Sequence, residues 1–157
     1  MKLKGKKINT VNFEYVVIPR PDGNIVFKAS AVLNNDEFEK ICKEPEPPKI
    51  TRPGQSPVPD FEDEDYKKAL AEHSQRFNDW TILKSLSATE SLEWESVKMD
   101  DPETWKNFKK ELSDSGFSMV EVGKIIKAVW VANSLDERKL EEARKSFLAS
   151  LPAEARL

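Results

Sequence analysis

Two groupings in this chain carry residue types that could do chemistry. Pro59-Asp60 followed by Asp65-Tyr66-Lys67 superficially spells the Pro-Asp … Asp-x-Lys pattern of metal-dependent nucleases. In such a site two carboxylates and a lysine converge from neighbouring strands on a metal that polarises a phosphoryl oxygen. Here the second part closes an acidic run, Glu62-Asp63-Glu64-Asp65, which suits the positive end of a helix dipole. Side chains in the first turns of a helix, a few residues after Asp60, do not converge as strand residues do. The run therefore reads as a solvated helix start. The second grouping is Cys42 with His73, the sole cysteine and the sole histidine. A thiol and an imidazole form a nucleophile–base pair when the fold brings them within hydrogen-bond reach. Nothing in the spacing demands that, and His73 lies on an apolar stripe where a packed ring is expected. A lone histidine excludes a histidine-pair zinc motif. Ser87, Ser91, Ser113, Ser115, Ser118 and Ser134 fall at helix ends, where capping accounts for them. The five glycines are scattered and build no phosphate loop. These residues argue against an enzyme, and no catalytic residue, metal or cofactor is expected.

The four tryptophans are the remaining candidates. Trp80 and Trp105 lie at core spacing on their helices. Trp130 lies about 100° around the helix from Val129, so either a broad core face or a partner groove would take it. A broad core face is the expectation, because helices in small bundles bury more than one side. An exposed indole is a common interface anchor. Trp94, Phe117 and Trp130 are the candidate partner-binding residues.

The elements that must position these side chains divide the chain into three parts. Residues 1–44 hold a β-hairpin and a short helix. Phe13, Tyr15 and Val17 alternate with Glu14 and Val16 on the first strand. Arg20-Pro21-Asp22-Gly23-Asn24 is a strong turn signal, and Ile25, Phe27, Ala29 and Ala31 alternate along the return strand. A lone hairpin is marginal in water, so it must lean on helices, further strands or another subunit. Asn35 or Asp36 can cap a short helix whose Phe38, Ile41 and Cys42 face one side. Residues 45–60 contain six prolines and one glycine between Pro45 and Pro59, which predict an extended stretch with no regular ladder, whether a surface strap, a flexible linker or a recognition segment. Residues 61–157 predict about four helices. The longest runs from near Phe61–Asp65 to about Leu86, with Tyr66, Leu70, His73, Phe77, Trp80 and Leu83 on one stripe. Leu92, Trp94 and Val97 suggest a short extended segment. A helix from Pro102 to Ser113 starts at an Asp101 cap with proline at its first position, and aligns Trp105, Phe108 and Leu112. The next, Met119 to Ala132, buries Val122, Ile125, Ile126 and Val129. The last, Leu135 to Leu148, aligns Leu140, Ala143, Phe147 and Leu148. Ser118 with Glu121 and Ser134 with Glu137 are capping-box spacings. The fold class is α+β.

Composition bounds the partners. The 157 residues are 38% hydrophobic and 34% charged, with formal net charge -3, so a modest core sits inside a heavily solvated exterior. Lysines and glutamates are interspersed, which argues against nucleic acid as the main partner, since phosphate neutralisation needs a concentrated basic face. The one basic cluster, Lys2, Lys4, Lys6 and Lys7, reads as a solvated terminus. A single cysteine permits no internal disulfide and makes a reducing compartment the default. No apolar segment is long enough to span a bilayer, and none follows the basic start as in a signal peptide. The expectation is a soluble, intracellular protein.

The stretches Trp80-Thr81-Ile82-Leu83-Lys84-Ser85-Leu86, Leu92-Glu93-Trp94-Glu95, Asp101-Pro102-Glu103-Thr104-Trp105 and Gly116-Phe117-Ser118 form a pattern of helix punctuation and aromatic placement. Ile125 to Val129, Ala132 to Glu137 and Ala143 to Leu148 extend it. The pattern resembles tail assembly chaperones of long-tailed bacteriophages over roughly the C-terminal half, and more weakly over the hairpin and strap. The resemblance implies a non-enzymatic protein of the host cytoplasm that coats the tape-measure protein and recruits tail-tube subunits. A second copy of the chain is a further candidate partner. The hairpin and strap have no assigned role in that scheme. They suit equally a structural tail completion or connector protein retained in the virion. A small phage inhibitor of a host protein is a more remote alternative.

Overall fold

The computed structural model describes residues 1–134 and 137–155. Its architecture is α+β, with small antiparallel two-stranded sheets and a helical region. A minute hairpin of β1 (Lys2–Leu3) and β2 (Lys6–Lys7) comes first. It turns through Lys4 and Gly5, both at positive φ. The main hairpin pairs β3 (Phe13–Ile18) with β4 (Ile25–Ser30), from Phe13 opposite Ser30 to Ile18 opposite Ile25. Gly23, at φ 124°, closes the turn, and its N–H donates to the Arg20 carbonyl at 3.1 Å. Only glycine takes that backbone angle without steric cost.

Side chains alternate across this hairpin as a pleated ladder requires. Ile18, Phe27 and Ala29 are buried on the inner face, with Val16 packed against the same core. Phe13, Tyr15, Val17 and Val26 stay exposed on the outer face. Beneath the inner face lies α4 (Met119–Asn133), which contributes Val122, Ile125, Ala128, Val129 and Ala132 to the core. The expected capping box opens this helix: the Glu121 N–H donates to Ser118 Oγ, and the Ser118 N–H donates back to the Glu121 carboxylate. Ile126 is half-buried at the edge of the same face.

Helix α2 (Glu64–Leu86) is the longest, and Asp63 caps it by accepting from the Tyr66 N–H at 2.8 Å. Its predicted stripe is only half-buried at Tyr66, Leu70 and His73, whereas Trp80, Ile82, Leu83 and Leu86 are fully in the core. The short helix α1 (Asp36–Ile41) sends Phe38 into an aromatic cluster with His73, Phe77, Trp80 and Trp105. Ile41, expected on that face beside Phe38 and Cys42, is exposed instead, because α1 ends at its own position and the chain turns away. The stretch after Pro102 is a 3-10 helix to Asn107 that passes directly into α3 (Phe108–Asp114). It buries Trp105, Phe108 and Leu112 as their spacing predicts. Each such side chain contributes roughly 1.5–3 kcal/mol of hydrophobic stabilisation.

Two expectations are corrected. The strap does carry a ladder: β5 (Lys49–Ile50) pairs with β6 (Val58–Pro59) antiparallel. The tolerance is geometric, since Pro59 ends its strand and Pro53 and Gly54 turn the chain between the strands. The last helix, α5 (Glu137–Ser150), lines up Leu140, Ala143, Phe147 and Leu148 but has no buried residue. Its expected start at Leu135 lies outside the described residues. Among the described residues no helix is long and apolar enough to cross a membrane.

Candidate interaction surfaces

The residues that could do chemistry are occupied locally. Asp60 accepts from the Glu62 N–H, and Lys67 pairs with Glu62 at 2.8 Å, so the nuclease-like string is spent on opening α2. Cys42 and His73 do line one cleft of about 680 Å³, together with Phe38, Glu39 and Phe77. His73 is turned edge-on to Phe38 at 5.2 Å between centroids, and its Nε2 is buried with no hydrogen-bond partner among the described residues. Burial pushes the Cys42 thiol up, against an opposing pull from Arg76. A thiol held protonated is a poor nucleophile. Among the described residues no cluster of histidine, cysteine, aspartate and glutamate is placed to hold a metal ion.

The three candidate contact residues fall in three different settings. Trp130 is 40% exposed on α4. The expected broad core face is thereby corrected, because Val129 and Ala128 already fill the space under the hairpin and the indole is left outside. Trp94 is half-buried, its ring edge-on to Phe108 at 6.5 Å. Its irregular loop is held by the Glu111 carboxylate, which accepts from the Glu95 and Ser96 N–H groups and from the Ser96 hydroxyl. Desolvation works the other way, yet these donors hold the Glu111 carboxyl below its ordinary range. Phe117, expected at a partner surface, is instead 9% exposed. It is clamped between the Phe27 ring at 5.4 Å and the Arg20 guanidinium at 5.2 Å.

Arg20 also grips Glu121 with both terminal nitrogens, at 2.7 and 3.2 Å. The hairpin turn is thereby pinned to the start of α4. This bidentate pair, with the Ser118 N–H, pulls the Glu121 carboxyl down to about 2.

Sequence reasoning missed the exposed apolar outer side of the main hairpin. Phe13 and Tyr15 meet edge to face at 5.3 Å, and the Lys28 ammonium lies 4.6 Å from the Phe13 ring centre. Tyr15 and Val17 are each 54% exposed. A signal was present in the sequence: β3 has apolar residues in both phases, Val16 and Ile18 inward, Phe13, Tyr15 and Val17 outward. A strand apolar on both sides, in a sheet of two strands, has one side left over.

α5 is a second such surface. Phe147 is 62% exposed, with Leu140 and Leu148 beside it on the stripe. An ion pair ties α5 to the hairpin, Lys139 to Glu14 at 3.6 Å. A folded monomer of 17.9 kDa exposes about 8000 Å², whereas this chain exposes 12155 Å². The excess equals several interfaces of standard size.

Neither family models, curated proteins nor solved structures gave a match to this chain.

Proposed function

We propose that this protein is a non-catalytic assembly factor that holds other polypeptides, and that its role is that of a phage tail assembly chaperone. The clients would be the tape-measure and tail-tube proteins, and the setting the host cytoplasm. The observation that carries the reading is α5: a helix with an apolar stripe on which no residue is buried. Such a stripe fits a helical client, whose own apolar face would lie along it. Trp130, exposed on α4, is a second anchor for the same kind of partner. The resemblance supplies the phage setting, and the surfaces supply the physical plausibility of reversible polypeptide binding.

Co-expression with the neighbouring tape-measure and tube proteins, followed by affinity capture, tests the proposal. Capture of the tape-measure protein, lost on Phe147→Ser, is the expected result. Failure to retain either protein would overturn it. Mass spectrometry of mature particles separates this reading from a permanent tail completion or connector protein, since a chaperone is absent from the finished virion.

A further inference from the structure

We propose that β3 is an assembly edge, completed by β3 of a second copy of this chain, the two strands running antiparallel about a two-fold axis at Tyr15. The inference starts from the phase of the ladder. The Ala31 N–H donates to the Asn12 carbonyl at 2.8 Å, so Asn12 and Ala31 are a hydrogen-bonded pair. Pairs alternate along an antiparallel ladder. Those of Phe13, Tyr15 and Val17 are then the non-bonded ones, and the N–H and C=O groups of these three residues point away from β4.

The two edges of the hairpin are treated differently. On β4 both outward groups of Lys28 and the carbonyl of Ser30 are occupied. The Lys28 N–H donates to Thr89 Oγ1 at 2.9 Å, the Thr89 hydroxyl donates to the Lys28 carbonyl at 3.1 Å, and the Ser85 hydroxyl donates to the Ser30 carbonyl at 2.7 Å. On β3, among the described residues, no hydrogen bond reaches the outward groups of Phe13, Tyr15 or Val17. β3 has no proline, no lysine and no bulge; its one charge, Glu14, lies on the inner face and pairs with Lys139 of α5 at 3.6 Å.

A second copy fits this edge by its own symmetry. With Tyr15 opposite Tyr15, Phe13 stands opposite Val17 in both directions, and every outward N–H and C=O of the three residues gains a partner. Glu14, the sole charge on β3, then faces Val16 of the second copy, so no like charges meet. The exposed outer rows of Phe13, Tyr15 and Val17 become cross-strand neighbours, the arrangement that stabilises sheets. A client strand could satisfy the same backbone groups. The second copy is favoured because pairing about Tyr15 partners every outward group of Phe13, Tyr15 and Val17 and sets no like charges opposite one another.

Sedimentation of the pure full-length chain tests this without any client, so its failure leaves the chaperone proposal untouched. The chain is expected to be a dimer at micromolar concentration. Tyr15→Pro removes an outward N–H and no bond to β4, so it should give a monomer with an unchanged circular dichroism spectrum. Tyr15→Cys should cross-link to a dimer with a short bismaleimide, while Val26→Cys, one strand from the axis, should not; Cys42 is buried. If Tyr15→Pro fails to fold, the cross-linking pair decides. A monomeric wild-type chain would overturn the proposal, even one that captures a client strand through β3. So would a dimer that survives Tyr15→Pro, or one in which Tyr15→Cys stays unlinked.

Discussion

Helices α4 and α5 follow one another, run 15 and 14 residues, and each aligns apolar side chains along one face. The first is roofed by the hairpin and buries Ile125 and Val129 completely. The second has every described side chain exposed and is supported by weak local pairs, Arg138 with Glu142 and Glu141 with Arg144 and Lys145. Such pairs contribute about 0.2–0.5 kcal/mol each, and a helix of this length is marginal in water without packing. A matching pattern therefore gives two different outcomes: one helix builds the fold, and the other leaves its stripe exposed.

The contrast can be broken most directly by truncation. Ile125→Ala should cost about 2–5 kcal/mol in denaturant unfolding, through lost burial and a residual cavity. Leu140→Ala should change the unfolding free energy by about 0.5 kcal/mol or less. Equal effects would show that α5 packs on its own chain. Trp130→Ala sharpens the comparison within α4 itself. It should weaken capture of a partner by about 2 kcal/mol, the scale of an interface anchor, while leaving the melting temperature nearly unchanged. Loss of the fold would place the indole in the core after all.

Hydrogen exchange extends the test along the backbone. Amides of α4 should exchange only on global unfolding, and those of α5 at the earliest labelling times, slowing once a partner is added. The smallest effect concerns the clamp that fastens the hairpin over α4. The Glu121 carboxyl is lowered from 4.5 to about 2 in the folded chain. Its stabilising contribution is thus fully present above pH 4.5 and is lost as pH falls toward 2. Glu121→Gln should flatten that part of the acid unfolding curve, read by the midpoint at each pH.

Much of the helical region was legible because its signals are local. Asp101-Pro102, the Ser118–Glu121 box and the Trp105, Phe108, Leu112 spacing all act within a turn or two, and the structure has each where its spacing places it. The errors came where a neighbour decides. Ile41 and the α5 stripe have helical apolar spacing, but nothing in one sequence says whether an element lies opposite. Trp130 failed for the same reason: a 100° offset leaves burial to whatever the hairpin covers. Phe117 gave no sign of its place under Arg20, because that contact joins residues 96 or more positions apart along the chain, as the Arg20 bond to the Gly116 carbonyl measures. The short ladder in the strap was hidden by a proline count that ignored where each proline falls in the turn.

The hydroxyls of Thr89 and Ser85 have one more implication. By occupying Lys28 and the Ser30 carbonyl, they make β4 the less open of the hairpin's two edges. A sheet extended through β3 by a copy of itself would end in two margins held in this way, which disfavours a further step of growth. Fibril growth through this hairpin would then meet two small side chains at each margin.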